Sequence, residues 1–113
     1  MITKVLNGVI YIDVSSEPVL TIEEIESSMP QFINPKSIIW DYECGGYEGW
    51  GDMIIEDTAG RWYYYSLGHC SCYGPLDNLI YLHADQAYYT DLEKLKSSLS
   101  DELQNQMGKI LNA

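Results

Sequence analysis

The sequence predicts an α+β fold: an antiparallel sheet of about four strands, packed with a short helix near the N-terminus and one or two helices at the C-terminus. Three observations predict it. Runs of β-branched and aromatic residues alternate with period two over 9–14 and 38–67, broken by turn-forming residues. Thr21 and Glu24, and again Thr90 and Glu93, have the spacing of a capping box. Leu92, Leu95, Leu99, Leu103, Met107 and Ile110 recur at helical spacing with polar residues between them. At 113 residues the chain is long enough for one core and too short for two, so residues 1–113 are read as a single domain.

In Val9-Ile10-Tyr11-Ile12-Asp13-Val14, Val9, Tyr11 and Asp13 lie on one face and Ile10, Ile12 and Val14 on the other, which predicts a first strand. Ser15-Ser16-Glu17-Pro18 breaks it. A helix over 22–29 follows the Thr21 cap and stops at Pro30. Next, Ile38, Trp40 and Tyr42 share a face, leaving Ile39, Asp41 and Glu43 on a mostly wet one. The glycine-rich run 45–51 reads as a turn or bulge, and 52–56 as the returning strand. Asp57-Thr58-Ala59-Gly60 is a turn signal, with Arg61 to Leu67 as the hairpin partner, so 38–67 forms a three-stranded antiparallel meander. Residues 76–84 fit a helix or a strand equally. The tail helix can pack on the sheet or pair with a second copy of the chain.

Seventeen acidic residues against six basic ones give a net charge of −11. Such a charge opposes direct contact with nucleic-acid phosphates. The charge is concentrated in 37–91, where Arg61 alone faces Asp41, Glu43, Glu48, Asp52, Glu56, Asp57, Asp77, Asp85 and Asp91. No stretch reaches the length of a membrane helix, and the first residues lack the basic and apolar blocks of an export signal, so a cytoplasmic protein without membrane contact is expected. Three cysteines in that setting favour free thiols or metal ligands over disulfides. Ten tyrosines against one phenylalanine suit an interaction surface, because the ring gives contact area at low entropy cost.

Gly68-His69-Cys70-Ser71-Cys72-Tyr73-Gly74-Pro75 concentrates the reactive side chains. Cys70, Cys72, His69 and the distant Cys44 are the right types for a tetrahedral zinc site, with His83 as a substitute ligand. The single residue between Cys70 and Cys72 and the adjacency of His69 fit such a site poorly. A nucleophilic cysteine with His69 or His83 as base is a second reading, opposed by the negative surroundings, which disfavour a thiolate. The third has both cysteines packed as small apolar side chains in a turn that closes the aromatic hairpin, with no cofactor and no enzymatic role.

This loop, preceded by Gly46-Tyr47-Glu48-Gly49 and the aromatic hairpin, resembles small uncharacterised proteins encoded by bacteriophages and prophages. The resemblance covers roughly residues 38–80. It implies a phage accessory role inside a host cell and no catalytic residue. By analogy with inhibitors of restriction or CRISPR-type host defence, carboxylates at Asp41, Glu43, Glu48, Asp52, Glu56 and Asp57, edged by Tyr47 and Trp50, would occupy the nucleic-acid site of a basic host or phage protein. The expected function is therefore protein–protein interaction, with acidity serving solubility alone as the plainer account.

Overall fold

Five strands lie in sequence order across one sheet: β1 (Ile2–Leu6), β2 (Val9–Asp13), β3 (Pro35–Gly45), β4 (Glu48–Asp57) and β5 (Trp62–Ser66). The computed structural model describes residues 2–16, 19–45, 48–68, 75, 76, 79 and 104. Asn7 and Gly8 join β1 to β2 with φ of 53° and 81°, the paired positive values that a two-residue hairpin with matching twist requires. The pair β2–β3 is parallel, Tyr11 facing Ile38 and Asp13 facing Trp40. Parallel strands need a long crossover, and residues 14–34 supply one carrying the helix α1 (Ile22–Ser28). The pairs β3–β4 and β4–β5 are antiparallel.

This corrects the expected architecture. Among the described elements the sheet has five strands and is mixed, and α1 is the single helix. The meander over 38–67 forms as expected, and so does α1. Thr21 caps α1, its Oγ1 accepting from Glu24 N–H at 3.2 Å and donating to Glu24 Oε1 at 3.1 Å. What the expected fold lacked was β1 and the parallel pairing. Lys4 and the charge-free neighbours Thr3, Val5 and Leu6 gave too short an alternation to stand without reading Asn7-Gly8 as a hairpin turn. The segment assigned to C-terminal helices, and with it any pairing between copies, lies outside the described residues apart from Gln104. A sheet-dominated fold replaces the helix-flanked one.

The larger core lies on the face that α1 covers. Tyr11, Ile38, Trp40, Tyr42, Met53, Ile55 and Tyr63 meet Leu20, Ile25 and Ile33 from the crossover, with Leu67, Leu76 and Leu79 at its edge. The opposite face is not simply wet. Ile12, Ile39 and Ile54 stand in one row of the register, and with Val14 and Trp62 they are buried, Ile39 to 1% and Ile54 to 0% exposure. Alternation had separated Ile39 from the core correctly but had assigned its side to water.

The glycine run also differs from expectation. Pairing continues to Gly45 opposite Glu48, so Gly45, Gly49 and Gly51 lie within strands. Gly51 is required by close approach: a Cβ there would sit 2.1 Å from the Asp41 carbonyl oxygen and 2.8 Å from Tyr42 Cα. Among the described glycines, the positive φ values belong to Gly8 and to Gly60, at 85°, in the β4–β5 turn. No helix among the described residues is long and apolar enough to cross a membrane.

Two glycine substitutions separate these causes. Gly8→Ala meets nothing within 4 Å, so it costs only the left-handed backbone, about 1 kcal/mol. Gly51→Ala must displace backbone and should cost about 3 kcal/mol or more. Urea unfolding followed by circular dichroism checks the order, and equal losses would contradict the close-approach account.

Candidate interaction surface

Strand parity brings most of the acidic residues singled out by the sequence to one face. On β3 the residues Asp41 and Glu43, and on β4 Glu48, Trp50, Asp52 and Glu56, all project to the side opposite α1. Asp41 is the direct partner of Asp52, Glu43 of Trp50, and Gly45 of Glu48. One more row along, Ile39 and Ile54 are buried. The patch therefore starts where the apolar row stops and runs to the hairpin end.

Trp50 is 53% exposed in the middle of these carboxylates. A Cβ on Gly45 would lie 3.8 Å from Trp50 Cη2, so the indole rests diagonally across a strand position with no side chain. Glycine here gives the ring its seat. Asp41 and Asp52 are half-buried, and the Tyr64 hydroxyl donates a hydrogen bond to Asp52 Oδ1. Glu43 and Glu48 are exposed. The basic residues among those described all sit toward the other end of the sheet: Lys4 in the row of Tyr11 and Ile38, Lys36 next to Pro35, which pairs with Asp57, and Arg61 next to Trp62.

Two of the expected acidic residues do not join this patch. Glu56 shares the face but lies beyond the buried row, accepting from Ser37 Oγ at 3.3 Å with Lys36 Nζ at 3.9 Å. Asp57 has the opposite parity and is 3% exposed. Its Oδ1 accepts from Ala59 and Arg61 N–H at 3.0 and 2.8 Å, and its Oδ2 from Arg61 Nε at 3.0 Å. Asp57 therefore builds the β4–β5 turn and is no surface residue. Tyr47 lies outside the described residues.

Beside Trp50, the edge of β3 opens because β2 ends at Asp13, paired with Trp40. Ser15 substitutes for the missing strand: its Oγ accepts from Tyr42 N–H at 2.9 Å, while its own N–H donates to Asp13 Oδ1 at 2.9 Å. Beyond it, Ser16, Val19, Tyr42, Glu43, Cys44 and Trp50 line a depression of about 260 Å³. Val19, 50% exposed, and Trp50 give it apolar walls, and Glu43 a charged one. Sequence reasoning named Glu43 and Trp50 but missed Ser15 and Val19, whose position depends on where β2 ends and not on any local pattern.

Of the proposed metal ligands, Cys44 is exposed at this edge, and His69, Cys70 and Cys72 lie outside the described residues, as does His83. Among the described residues, no group of three or more His, Cys, Asp and Glu is arranged to hold a metal. The two ends of the loop are tied down: Leu67 N–H donates to Gly51 O at 2.9 Å, and the Tyr65 hydroxyl donates to Pro75 O at 3.0 Å. Comparisons of the chain with protein families, with curated proteins and with solved structures found no match.

Tyr42 lines the depression from the core side. Burial, and then the hydrogen bond and charge of Cys44, push its phenol from 10.0 up to about 12. The folded state thus holds this proton more tightly than the unfolded chain. The resulting stability is fully present below pH 10 and is lost as the pH rises through about 12. Tyrosinate absorbance of the native protein minus that of Tyr42→Phe should show a component near pH 12. Because burial is the larger cause, Cys44→Ala should lower it only part of the way to 10.0, and a full return would contradict that ranking.

Proposed function

We propose that the protein is a non-enzymatic interaction protein that binds a basic partner through the hairpin end of the β3–β4 face. The observation that carries this reading is the position of Trp50, half-exposed among Asp41, Glu43, Glu48 and Asp52, next to a depression walled by Val19 and Glu43. A lysine or arginine side chain fits that chemistry. Its methylenes would lie against Val19 and the indole, and its charge would meet Glu43. A cation held over an indole gains roughly 0.5–2 kcal/mol, more as water leaves, whereas each exposed ion pair adds about 0–1 kcal/mol. The tryptophan is the anchor, and the carboxylates select the sign of the partner and speed its approach.

The finer reading is that the partner's basic surface is one that otherwise takes nucleic acid, in the phage accessory setting that the loop motif resembles. Charge density limits it. The rows Asp41/Asp52, Glu43/Trp50 and Gly45/Glu48 span about 14 Å along the strands. Duplex DNA of that length carries about eight phosphates, against four carboxylates here. The surface matches a short basic segment better than a whole duplex-binding cleft, so blocking would work by covering one part of such a site.

The test is affinity capture from bacterial lysate at about 50 mM and about 500 mM salt, where screening differs severalfold. Wild-type protein should retain a basic protein at low salt and release it at high salt. Trp50→Ala and the double variant Glu43→Gln/Glu48→Gln should weaken retention at least about tenfold, a loss of about 1.4 kcal/mol, while Glu23→Gln on α1 leaves it unchanged. A captured protein indifferent to Trp50 and to salt would overturn the proposal.

A further inference from the structure

A second site lies on the other face of the sheet, where the N-terminal hairpin runs beneath the entry to α1. A cavity of about 440 Å³ opens there, within the size range of small-ligand sites. Its floor is the sheet. Lys4 and its cross-strand partner Tyr11 come from β1 and β2, Asp13 lies two residues further along β2, and Trp40 is the neighbour of Asp13 on β3. Leu20 and Ile22 form the apolar wall on the crossover side.

Asp13 gives this cavity its chemistry. Its residue is 5% exposed, its Oδ1 is taken by the Ser15 N–H at 2.9 Å, and among the described residues no hydrogen bond reaches its Oδ2. Among the described residues, neither Asp13 nor Lys4 takes part in an ion pair. A carboxylate buried without a cation is costly unless something of opposite charge reaches it. Lys4, exposed at the mouth, lies diagonally across the strand pair from Asp13, a separation of roughly 7–8 Å at the backbone. One cavity thus presents an acceptor for a cation at its floor and a donor for an anion at its rim, with aromatic and aliphatic walls between.

We propose that this cavity binds a small zwitterion of the α-amino-acid type with an apolar side chain. The ammonium group sits on Asp13 Oδ2, within reach of the faces of Tyr11 and Trp40. The carboxylate meets Lys4, and the side chain lies against Leu20 and Ile22. Glu23, also at the rim, reinforces the preference for an ammonium group over an uncharged amide. The site lies on the α1 face, so it is independent of the acidic surface around Trp50.

Nuclear magnetic resonance titration with leucine, methionine and phenylalanine tests this directly. Saturable shifts are expected at the Trp40 indole N–H and at Tyr11, with the Trp50 indole unmoved. N-acetylleucine, which lacks the ammonium, should bind at least about tenfold more weakly than leucine. Leucinamide, which lacks the carboxylate, should be insensitive to Lys4→Gln, whereas leucine should weaken in that variant. Asp13→Asn keeps an oxygen for the Ser15 N–H, so it preserves the turn while removing the charge, and it should weaken leucine at least about tenfold. Its unchanged circular dichroism would establish that the fold persists. Absence of saturable shifts with all three amino acids, equal binding of leucine and N-acetylleucine, or unchanged binding by folded Asp13→Asn would each overturn the proposal.

Discussion

The constraint on which the structure depends is that the middle of β3 is buried on both faces while its far end is not. Ile38, Trp40 and Tyr42 face the α1 core, and Ile39 faces the opposite apolar row, each 2% exposed or less. A strand covered on both sides must have both edges paired, because an unpaired buried N–H or C=O costs as much as a lost hydrogen bond. On one edge β4 runs the whole length. On the other, β2 pairs only as far as Asp13 opposite Trp40, with Val14 N–H reaching Trp40 O at 2.9 Å. Where β2 stops, burial lapses on the face opposite α1, and it is there that this face of β3 changes from Ile39 to Asp41 and Glu43, while Tyr42 on the α1 face stays buried.

The acidic surface follows from that lapse. Asp41 and Asp52 stand directly opposite one another, an arrangement that costs up to about 1 kcal/mol when both are charged. The Tyr64 hydroxyl on Asp52 offsets part of it. Asp57, one residue past Glu56, has the contrary role. Its oxygens accept from Ala59 and Arg61 backbone and from the Arg61 side chain, which fixes the turn that aligns β5. Two aspartates five positions apart thus serve a surface and a turn, and the difference lies in strand parity.

Local chemistry in the sequence was enough to find α1, the β3–β4–β5 meander and the Asp57–Gly60 turn, since each is specified by residues within a few positions of one another. Alternation also placed Asp41 with Glu43, and register then brought Glu48, Trp50 and Asp52 beside them. What the sequence left hidden was relational. Parallel pairing of β2 with β3 has no sequence pattern of its own at this strand length, and only the crossover length hints at it. Period-two alternation separates the faces without saying what covers them, so Ile39 was assigned to water. The glycines at 45, 49 and 51 gave a turn signal although two of them answer to a neighbouring indole and a neighbouring backbone. Ser15 and Asp13 acquire their roles only because β2 ends where it does.

The order of the strands carries a kinetic consequence. β1 with β2, and β3 with β4 and β5, are two sets of hairpins closed by short turns, so each can form from residues near in sequence. The parallel seam between β2 and β3 joins them only after the whole segment 14–34 has been closed into a loop, and that entropy is lost before the seam contributes any stability. Contact order favours the meander as nucleus, with the N-terminal hairpin docking onto it later. Substitutions along β4 should then slow folding, whereas those at the seam should chiefly hasten unfolding.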